Sequence, residues 1–323
     1  MFIQSKRLIA CTLSAIGLLA AVSARAAQPT GVSAGWIGGN LEIGIAHAVA
    51  STSWLNFDDG RSLALSSERV RSSNHYQREA GAASAAVGCG MGLSCVANYS
   101  VDARTGTNSR DNDMETAHGD VGLTKAWAGS VYGLRMGNEQ WRIGGQPFGQ
   151  MRSVTADAVR NYGEQVKAYA AVTSARLSHP GENAILDSNY RAFTGSLRYA
   201  TISGWQSAFA LQATLSSESN LERDRWLDAR GTVLRATWQV KPMPSWDARA
   251  ALTAQARRYG DIDPDLGVQR MERFDTFELN LAHQLDKRLQ LRLEYISARH
   301  QSSVPGLGNA WSSIGVGLQW QLD

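Results

Sequence analysis

Residues 205–215, WQSAFALQATL, carry an apolar side chain at nearly every second position. Phe209, Leu211 and Leu215 fall on one side of an extended chain, whereas Gln212 falls on the other. Because successive side chains of a strand point to opposite faces, this period of two predicts a β-strand with one apolar face. The stretch exceeds the length of about 5–6 residues usual for a globular strand. It reaches the roughly 9–11 residues that a tilted strand needs to cross a bilayer.

The same alternation recurs through the last third of the chain, at 193–199, 234–240, 246–254, 277–285, 289–295 and 314–322. Aromatic residues stand near the ends of the apolar rows, where the interfacial girdles of a membrane barrel fall. They are Trp205, Trp238, Trp246, Tyr295 and Trp320. The opposite rows predict a lumen lined by charged side chains, namely Arg249, Arg257, Glu278, Arg292 and Glu294.

These charged rows indicate which face meets water. An arginine facing lipid near the bilayer midplane would cost about 2–4 kcal/mol, whereas an aqueous lumen hydrates it. We expect charges to pair between strands, as Arg292 with Glu278, or Glu294 with an arginine across the wall. The alternative interpretation is the solvated face of a water-soluble sheet, but the aromatic ends of the apolar rows favour a membrane barrel.

Long and short connections between the segments also alternate along the chain. Long polar connections at 176–189, 217–227, 258–272 and 300–310 alternate with short ones at 201–204, 241–245 and 285–288. Outer-membrane barrels have long outer loops and short periplasmic turns, and a soluble sandwich has no reason to sort its loops in this way. About fifteen candidate strands are present. Because single-chain bacterial barrels have even numbers, the sequence predicts an all-β, transmembrane, antiparallel up-and-down barrel of about 14 strands, with 12 or 16 as alternatives.

The first half of the chain is harder to interpret. Strands are predicted at 41–49, 93–101 and 119–127, and a weaker one at 61–71; a polar break is expected at 72–74, and 80–89 is ambiguous. A hairpin is predicted from 131–136 and 140–146 around Gly137 and Asn138. The pattern at 147–161 fits a helical turn, a loop or a segment that plugs the lumen.

The N-terminal 26 residues have the pattern of a secretory signal peptide. Lys6 and Arg7 precede an apolar run from residue 8 to 22, and Ala24-Arg25-Ala26 fits the cleavage site. We therefore predict a signal peptide at 1–26 cleaved near Ala26, a linker at 27–34, and a barrel at 35–323 located in the bacterial outer membrane. The whole chain has 32 basic and 29 acidic residues. Removing three basic residues and no acid leaves net charge near zero, which gives no argument for nucleic acid as a partner.

Beyond the signal peptide, arginine greatly outnumbers lysine, and the lysines are Lys125, Lys167, Lys241 and Lys287. Arginine suits bidentate pairing with carboxylate or phosphate, so it could line a lumen or contact lipid phosphates.

Two cysteines remain beyond the signal peptide, in the segment 88–95, GCGMGLSC. In an oxidising compartment an even pair reads as a disulfide between Cys89 and Cys95 across a glycine-rich turn. Metal binding by two cysteines alone is the weaker alternative.

The sequence predicts no catalytic residues, no metal site and no cofactor. None of the six histidines forms a spaced metal-binding pair. His283 and His300, with Ser302 and Ser303 close by, leave a lipid-modifying enzyme as an alternative, but no serine has the context of a nucleophile.

The last third resembles the C-terminal barrel of the surface lipoprotein assembly modifiers and related tetratricopeptide-barrel proteins. The residues that carry the resemblance are Tyr259, the RFD motif at 273–275, the turn at 285–288, the strand LQLRLEY at 289–295, Ser302-Ser303 and the last strand, IGVGLQW, at 314–320. The resemblance implies a barrel of about 14 strands and export of a surface molecule. This chain departs from the pattern because no tetratricopeptide repeats precede the barrel and because it ends on Leu322-Asp323.

The predicted function is a conduit for translocation or export of a surface molecule, or for diffusion of small solutes. The alternatives are a barrel-type lipid-modifying enzyme and a structural or adhesive outer-membrane protein. Expected partners are outer-membrane lipids and lipopolysaccharide, and a periplasmic repeat protein or an exported cargo.

Overall fold

The computed structural model describes residues 36–50, 54–56, 62–64, 72–106, 113–201, 206–222, 224–264, 266–305 and 308–322. These ranges hold sixteen strands and one short 3₁₀ helix, Gly181–Leu186. The strands are β1 (Trp36–Ala50), β2 (Trp54–Asn56), β3 (Ser62–Ala64), β4 (Ser72–Gly90), β5 (Leu93–Gly106), β6 (Met114–Trp127), β7 (Ser130–Ile143), β8 (Gln146–Tyr162), β9 (Val166–Ser178), β10 (Ser188–Ala200), β11 (Gln206–Asn220), β12 (Ala229–Met243), β13 (Trp246–Ile262), β14 (Gln269–Gln284), β15 (Leu289–Ser302) and β16 (Asn309–Leu322). Within the described ranges, no helix is long and apolar enough to cross a membrane. The predicted signal peptide and linker, 1–34, lie outside the described residues.

Fourteen strands close into one antiparallel barrel. From β4 to β16 each strand pairs with the next in sequence, and β1 lies between β4 and β16. The closing pair runs from Gly39 opposite Leu322 to Ala50 opposite Trp311. Closure gives every wall strand two partners, so that backbone N–H and C=O groups are satisfied where no water is available. The predicted all-β transmembrane barrel of about 14 strands is therefore confirmed; β2 and β3 form a separate two-stranded sheet.

The two ends of the barrel differ in their connections. One end, here called the short-turn end, has the connections 91–92, 128–129, 163–165, 244–245 and 285–288, and β1 begins and β16 ends there. The opposite long-loop end carries the 3₁₀ helix and the connections 221–228, 263–268 and 303–308. The exception is the tight turn Gly144–Gly145, which also lies at the long-loop end. In outer-membrane barrels the short turns face the periplasm.

Local chemistry fixes two of the short turns. Ala128 and Gly129 both adopt positive φ, 50° and 76°, as the central pair of a type I′ hairpin requires. In the turn 285–288, an Asp286 carboxylate oxygen accepts hydrogen bonds from the backbone N–H groups of Arg288, at 2.7 Å, and Leu289, at 2.8 Å. These two donors, with Arg288 first, hold the pKa of Asp286 below its usual value.

The predicted hairpin around Gly137 and Asn138 is wrong, because β7 runs unbroken through both residues and turns at Gly144–Gly145. Gly137 allows β7 to pack closely against β8, because a Cβ atom there would approach the Ser153 hydroxyl of β8 to 2.8 Å. A glycine at such a close approach within a strand resembles a turn signal in sequence.

The interpretation of 147–161 as a helical turn, a loop or a plug is also wrong, because the segment belongs to the wall strand β8. The register between β7 and β8 shifts after Trp141, where Arg142 faces Pro147 and Trp141 faces Gly149. The bulge accommodates a proline near the start of a strand, where its missing donor breaks little of the ladder.

Several predicted boundaries are corrected too. β4 begins at Ser72, so the polar break expected at 72–74 is part of a strand, and 80–89 is strand throughout. Of the weak strand at 61–71, residues 62–64 pair with 54–56 outside the wall, and the remainder lies outside the described residues. The long polar connections are shorter than predicted, because strands such as β11 continue to Asn220 through residues that lack apolar alternation.

Candidate functional site in the barrel lumen

The two faces of the wall are sorted by side-chain type. Over the middle of the wall the outward row is mainly apolar and exposed, as Leu211, Leu234 and Leu252 show on three adjacent strands. The alternate row faces the interior. All five residues predicted to line the lumen stand on that inward row, on strands β13 to β15: Arg249, Arg257, Glu278, Arg292 and Glu294.

Ion pairs on the inward row cross from one strand to the next but one. Arg235 on β12 contacts Glu278 on β14 at 2.7 Å between Nη2 and Oε2, over the strand β13 that separates them. Ala251 of β13 faces Glu278 in register and is buried, so a small side chain underlies the bridge. The partner of Glu278 is therefore Arg235, which the sequence did not single out, instead of the expected Arg292.

A second bridge has the same geometry but is more buried. Arg257 on β13 contacts Glu218 on β11 at 2.7 Å, again between Nη2 and Oε2. The intervening residue on β12 is Gly231, where a Cβ would approach the Ser216 hydroxyl to 2.6 Å. The second carboxylate oxygen of Glu218 accepts a hydrogen bond from the Ser188 hydroxyl at 2.6 Å. Both oxygens of this buried carboxylate are thus paired.

The Arg257 bridge extends into a wider polar network toward the long-loop end. The ring of Tyr259 lies between two guanidinium groups, 5.1 Å from that of Arg257 and 4.8 Å from that of Arg270. Arg270 donates to Glu272 at 2.6 Å, and His300 Nε2 lies 3.7 Å from the same carboxylate. Cation–π contacts with Tyr259 and charged hydrogen bonds to glutamate together stabilise the charged side chains on this side of the lumen.

Strands β7 to β10, which adjoin this network along the wall, carry a different interior surface at the same end. Trp141 and Tyr190, each 1% exposed, form an apolar cluster with Met151, Leu177, Ala175 and Ala192. The Trp141 indole N–H donates to Glu139 at 2.6 Å. This cluster escaped the sequence analysis because it depends on β8, which was not recognised as a strand. Nearer the middle of β7, Arg135 contacts Asp157 at 2.6 Å.

Basic side chains stand on the inward row near the short-turn end. Lys167 of β9 and Arg198 of β10 face each other directly in register, and Arg249 lies on β13. All three are exposed, and within the described ranges none lies in an ion pair. The inward surface therefore groups three basic side chains at this end, and Asp247, two positions from Arg249, is an acidic side chain on the same row.

Cys89 and Cys95 flank the turn between β4 and β5. The structure brings their sulfur atoms into bonding contact with Cα atoms 5.8 Å apart, a separation common in disulfides. The bond itself stays a prediction.

The structure separates the two histidines considered for catalysis. His283 faces outward against Trp246, with ring centroids 4.5 Å apart, whereas His300 is buried on the inward row against Phe274. The Ser303 hydroxyl donates to the Gln269 carbonyl and accepts from the Met271 N–H, each at 2.9 Å. His283 and His300 therefore do not share a site, whereas Ser302 faces Glu272 in register on the inward row, beside His300.

Comparison with known proteins agrees with this architecture. No family model matches the sequence, and no curated protein matches it. Among solved structures, the anion-selective porin from Comamonas acidovorans has a TM-score of 0.51 at 8% identity, covering 90% of this chain and 100% of that chain. In-vitro folded OmpT, an outer membrane protein of Vibrio cholerae, has a TM-score of 0.50 at 7% identity, covering 90% and 98%.

The fold is thus that of the outer-membrane β-barrel proteins. The more specific resemblance to the surface lipoprotein assembly modifiers remains an expectation from the sequence.

Proposed function

We propose that this protein lies in the outer membrane and conducts small hydrophilic solutes. The observation that carries the proposal is a closed wall of 14 strands with apolar side chains outside and ion-paired side chains inside. Strands about 4.8 Å apart and tilted by about 40° give a backbone cylinder roughly 28 Å across. Inward side chains, among them those of the Trp141 cluster and of the network around Arg257, narrow this cylinder.

The inward charges support a preference for anions. Lys167, Arg198 and Arg249 present positive charge near the short-turn end, whereas Arg235, Arg257 and Arg135 lie in ion pairs. Like charges grouped along a narrow aqueous path raise the local concentration of counter-ions. The structurally similar porin from Comamonas acidovorans is described as anion-selective, which agrees with this assignment.

Planar-bilayer recording tests both parts of the proposal. We expect the purified protein to produce discrete conductance, with a reversal potential in a KCl gradient that shows chloride passing more readily than potassium. Lys167→Gln with Arg198→Gln should shift the reversal potential toward potassium. Arg160→Gln, on the outward row near the same end, should not. A protein that inserts without conducting would refute the conduit, and an unchanged reversal potential in the double variant would refute the anion preference.

Export of a surface molecule is the more specific function that the family resemblance implies. It would require a cargo or a periplasmic repeat protein as partner. A strain lacking this gene should then lose one molecule from the cell surface while small-solute uptake is unchanged. Lost solute uptake with an intact surface would favour diffusion.

We also propose that the barrel is not an enzyme, because His283 and His300 lie on opposite faces of the wall. Cells carrying His283→Ala and His300→Ala should keep an unchanged lipid A and phospholipid profile. A change in either lipid class would favour the lipid-modifying alternative.

A further inference from the structure

Arginine side chains form a belt around the outside of the barrel at its long-loop end. Each is exposed and stands on the outward row of its strand. The arginine belt comprises Arg142, Arg152, Arg176, Arg191, Arg230, Arg258, Arg273 and Arg299, on β7 to β10 and β12 to β15. These eight arginines stand at about the same height on eight strands, whereas the lumen carries a mixture of acidic and basic side chains.

The belt lies one membrane thickness from the aromatic residues of the opposite end. On β7, Arg142 follows Tyr132 by ten positions, and on β8 Arg152 precedes Tyr162 by ten. Ten residues at about 3.3 Å each, tilted by about 40°, span roughly 25 Å, the height of the outward apolar band of such barrels. Since the exposed aromatics Tyr132 and Tyr162 mark one interface, the belt marks the other.

The protein itself opposes part of this charge, because Glu115 faces Arg142 directly in register and Asp275 faces Arg299. Within the described strands, the arginines at the centre of the belt have no such acidic neighbour in register. Arg152 faces Arg176 directly in register, and Arg230 faces Arg258. Directly opposed like charges destabilise neighbouring strands. In the part of the chain that the structure describes, Arg273 is the belt member with an ion pair, to Asp275.

A groove beneath Arg152 and Arg176 combines polar and apolar walls. It has a volume of about 770 Å³, and its outward lining includes Val121, Met136 and Val154. This combination of two cations above an apolar surface fits an amphiphile whose anionic head lies at the interface and whose chains lie along the wall.

We propose that the arginine belt binds the phosphate groups of a phosphorylated glycolipid of the outer leaflet, the lipid A type, with a site centred on Arg152 and Arg176. Guanidinium groups pair with phosphate through two parallel charged hydrogen bonds, and a bridging phosphate would relieve the opposition of Arg152 to Arg176. The proposal rests on the outer-membrane location but not on conduction through the lumen.

Native mass spectrometry of the detergent-solubilised protein with bisphosphorylated lipid A tests the proposal. We expect the wild-type protein to bind bisphosphorylated lipid A and to bind the dephosphorylated lipid much more weakly. Arg152→Gln with Arg176→Gln should weaken binding roughly ten- to thirtyfold, as expected for the loss of two interfacial cations. Arg160→Gln, outward on β8 at the other end, is the matched control and should bind as the wild type does.

Equal binding of the two lipids, or equal binding by the double variant and the Arg160→Gln control, would overturn the proposal. Displacement of lipid A by equimolar inorganic phosphate would also overturn it, because the site would then recognise free phosphate. If the double variant does not fold, the comparison of the two lipids on the wild-type protein decides the question. Single-channel conductance of the double variant should match the wild type, so loss of lipid binding and loss of conduction can be told apart.

Discussion

Arg257 and Arg235 both bridge two strands across an intervening one, but they differ in exposure to water. The side chains of Arg257 and Glu218 are 14% and 13% exposed, whereas those of Arg235 and Glu278 are 31% and 27% exposed. Arg257→Gln leaves a buried carboxylate poorly compensated, so we expect it to lower the free energy of unfolding by about 2 kcal/mol. Arg235→Gln should cost less than about 1 kcal/mol, because water screens the more exposed pair. Urea unfolding in lipid vesicles measures both, and equal losses would contradict this ranking.

Two glycines of the wall differ in the room they leave for a methyl group. A Cβ at Gly122 would approach the backbone carbonyl oxygen of Leu134 to 2.5 Å, whereas a Cβ at Gly195 would meet its nearest neighbour, in Phe193, at 3.9 Å. Gly122→Ala should therefore destabilise the barrel by roughly 1–3 kcal/mol, the usual range for overpacking. Gly195→Ala serves as the control and should be nearly neutral by the same unfolding measurement. A neutral Gly122→Ala would show that strands β6 and β7 can move apart.

Within one strand, neighbouring residues meet opposite environments. Leu252 of β13 is exposed on the outward row, and Thr253 beside it faces inward opposite Arg235. Leu252→Arg places a charge against lipid and should lower the free energy of unfolding by about 2–4 kcal/mol. Thr253→Arg should cost distinctly less, because the lumen hydrates it, although it adds a like charge near Arg235. Comparable losses in vesicles would mean that the faces are not sorted between lipid and water.

The hairpin of β4 and β5 contains the predicted disulfide. Cys89 and Cys95 are separated by six positions. Closing so short a loop stabilises by about 2 kcal/mol in the chain-entropy account, so Cys89→Ser with Cys95→Ser should lower the free energy of unfolding by that amount at most. Intact-mass measurement with and without reductant tests the bond directly. Two free thiols in the oxidised, purified protein would show that the bond does not form.

At the scale of the whole molecule, the outward apolar face determines how the protein behaves in solution. Exposed leucines and aromatics such as Leu211, Leu293 and Trp320 cover the outside of a wall whose edges are closed. A contiguous apolar surface of this extent requires lipid or detergent. We therefore expect the mature protein to aggregate when detergent is removed and to stay monodisperse with it, as light scattering would show. A compact particle stable without detergent would contradict the transmembrane assignment.

The alternation of apolar and polar side chains allowed most strands of the wall to be predicted from the sequence. Residues 205–215 and 314–322 specify strand and face by themselves, because the period of two is local. The five predicted lumen residues lie on the inward row for the same reason. Strand β8 could not be found in this way. Its mixture of small, hydroxyl and arginine side chains becomes a strand through pairing with β7 and β9, and its proline needs a bulge that only the partner strand defines.

Tertiary structure alone decided how the rows align around the barrel. Arg235 reaches Glu278 43 positions away, and Arg152 faces Arg176, because register and closure bring distant strands to the same level. The sequence by itself therefore determined a transmembrane barrel of about 14 strands and the face of each late side chain. The pairing of lumen charges, the Trp141 cluster and the level of the arginine belt depended on contacts between residues far apart in the chain, which a local period cannot encode.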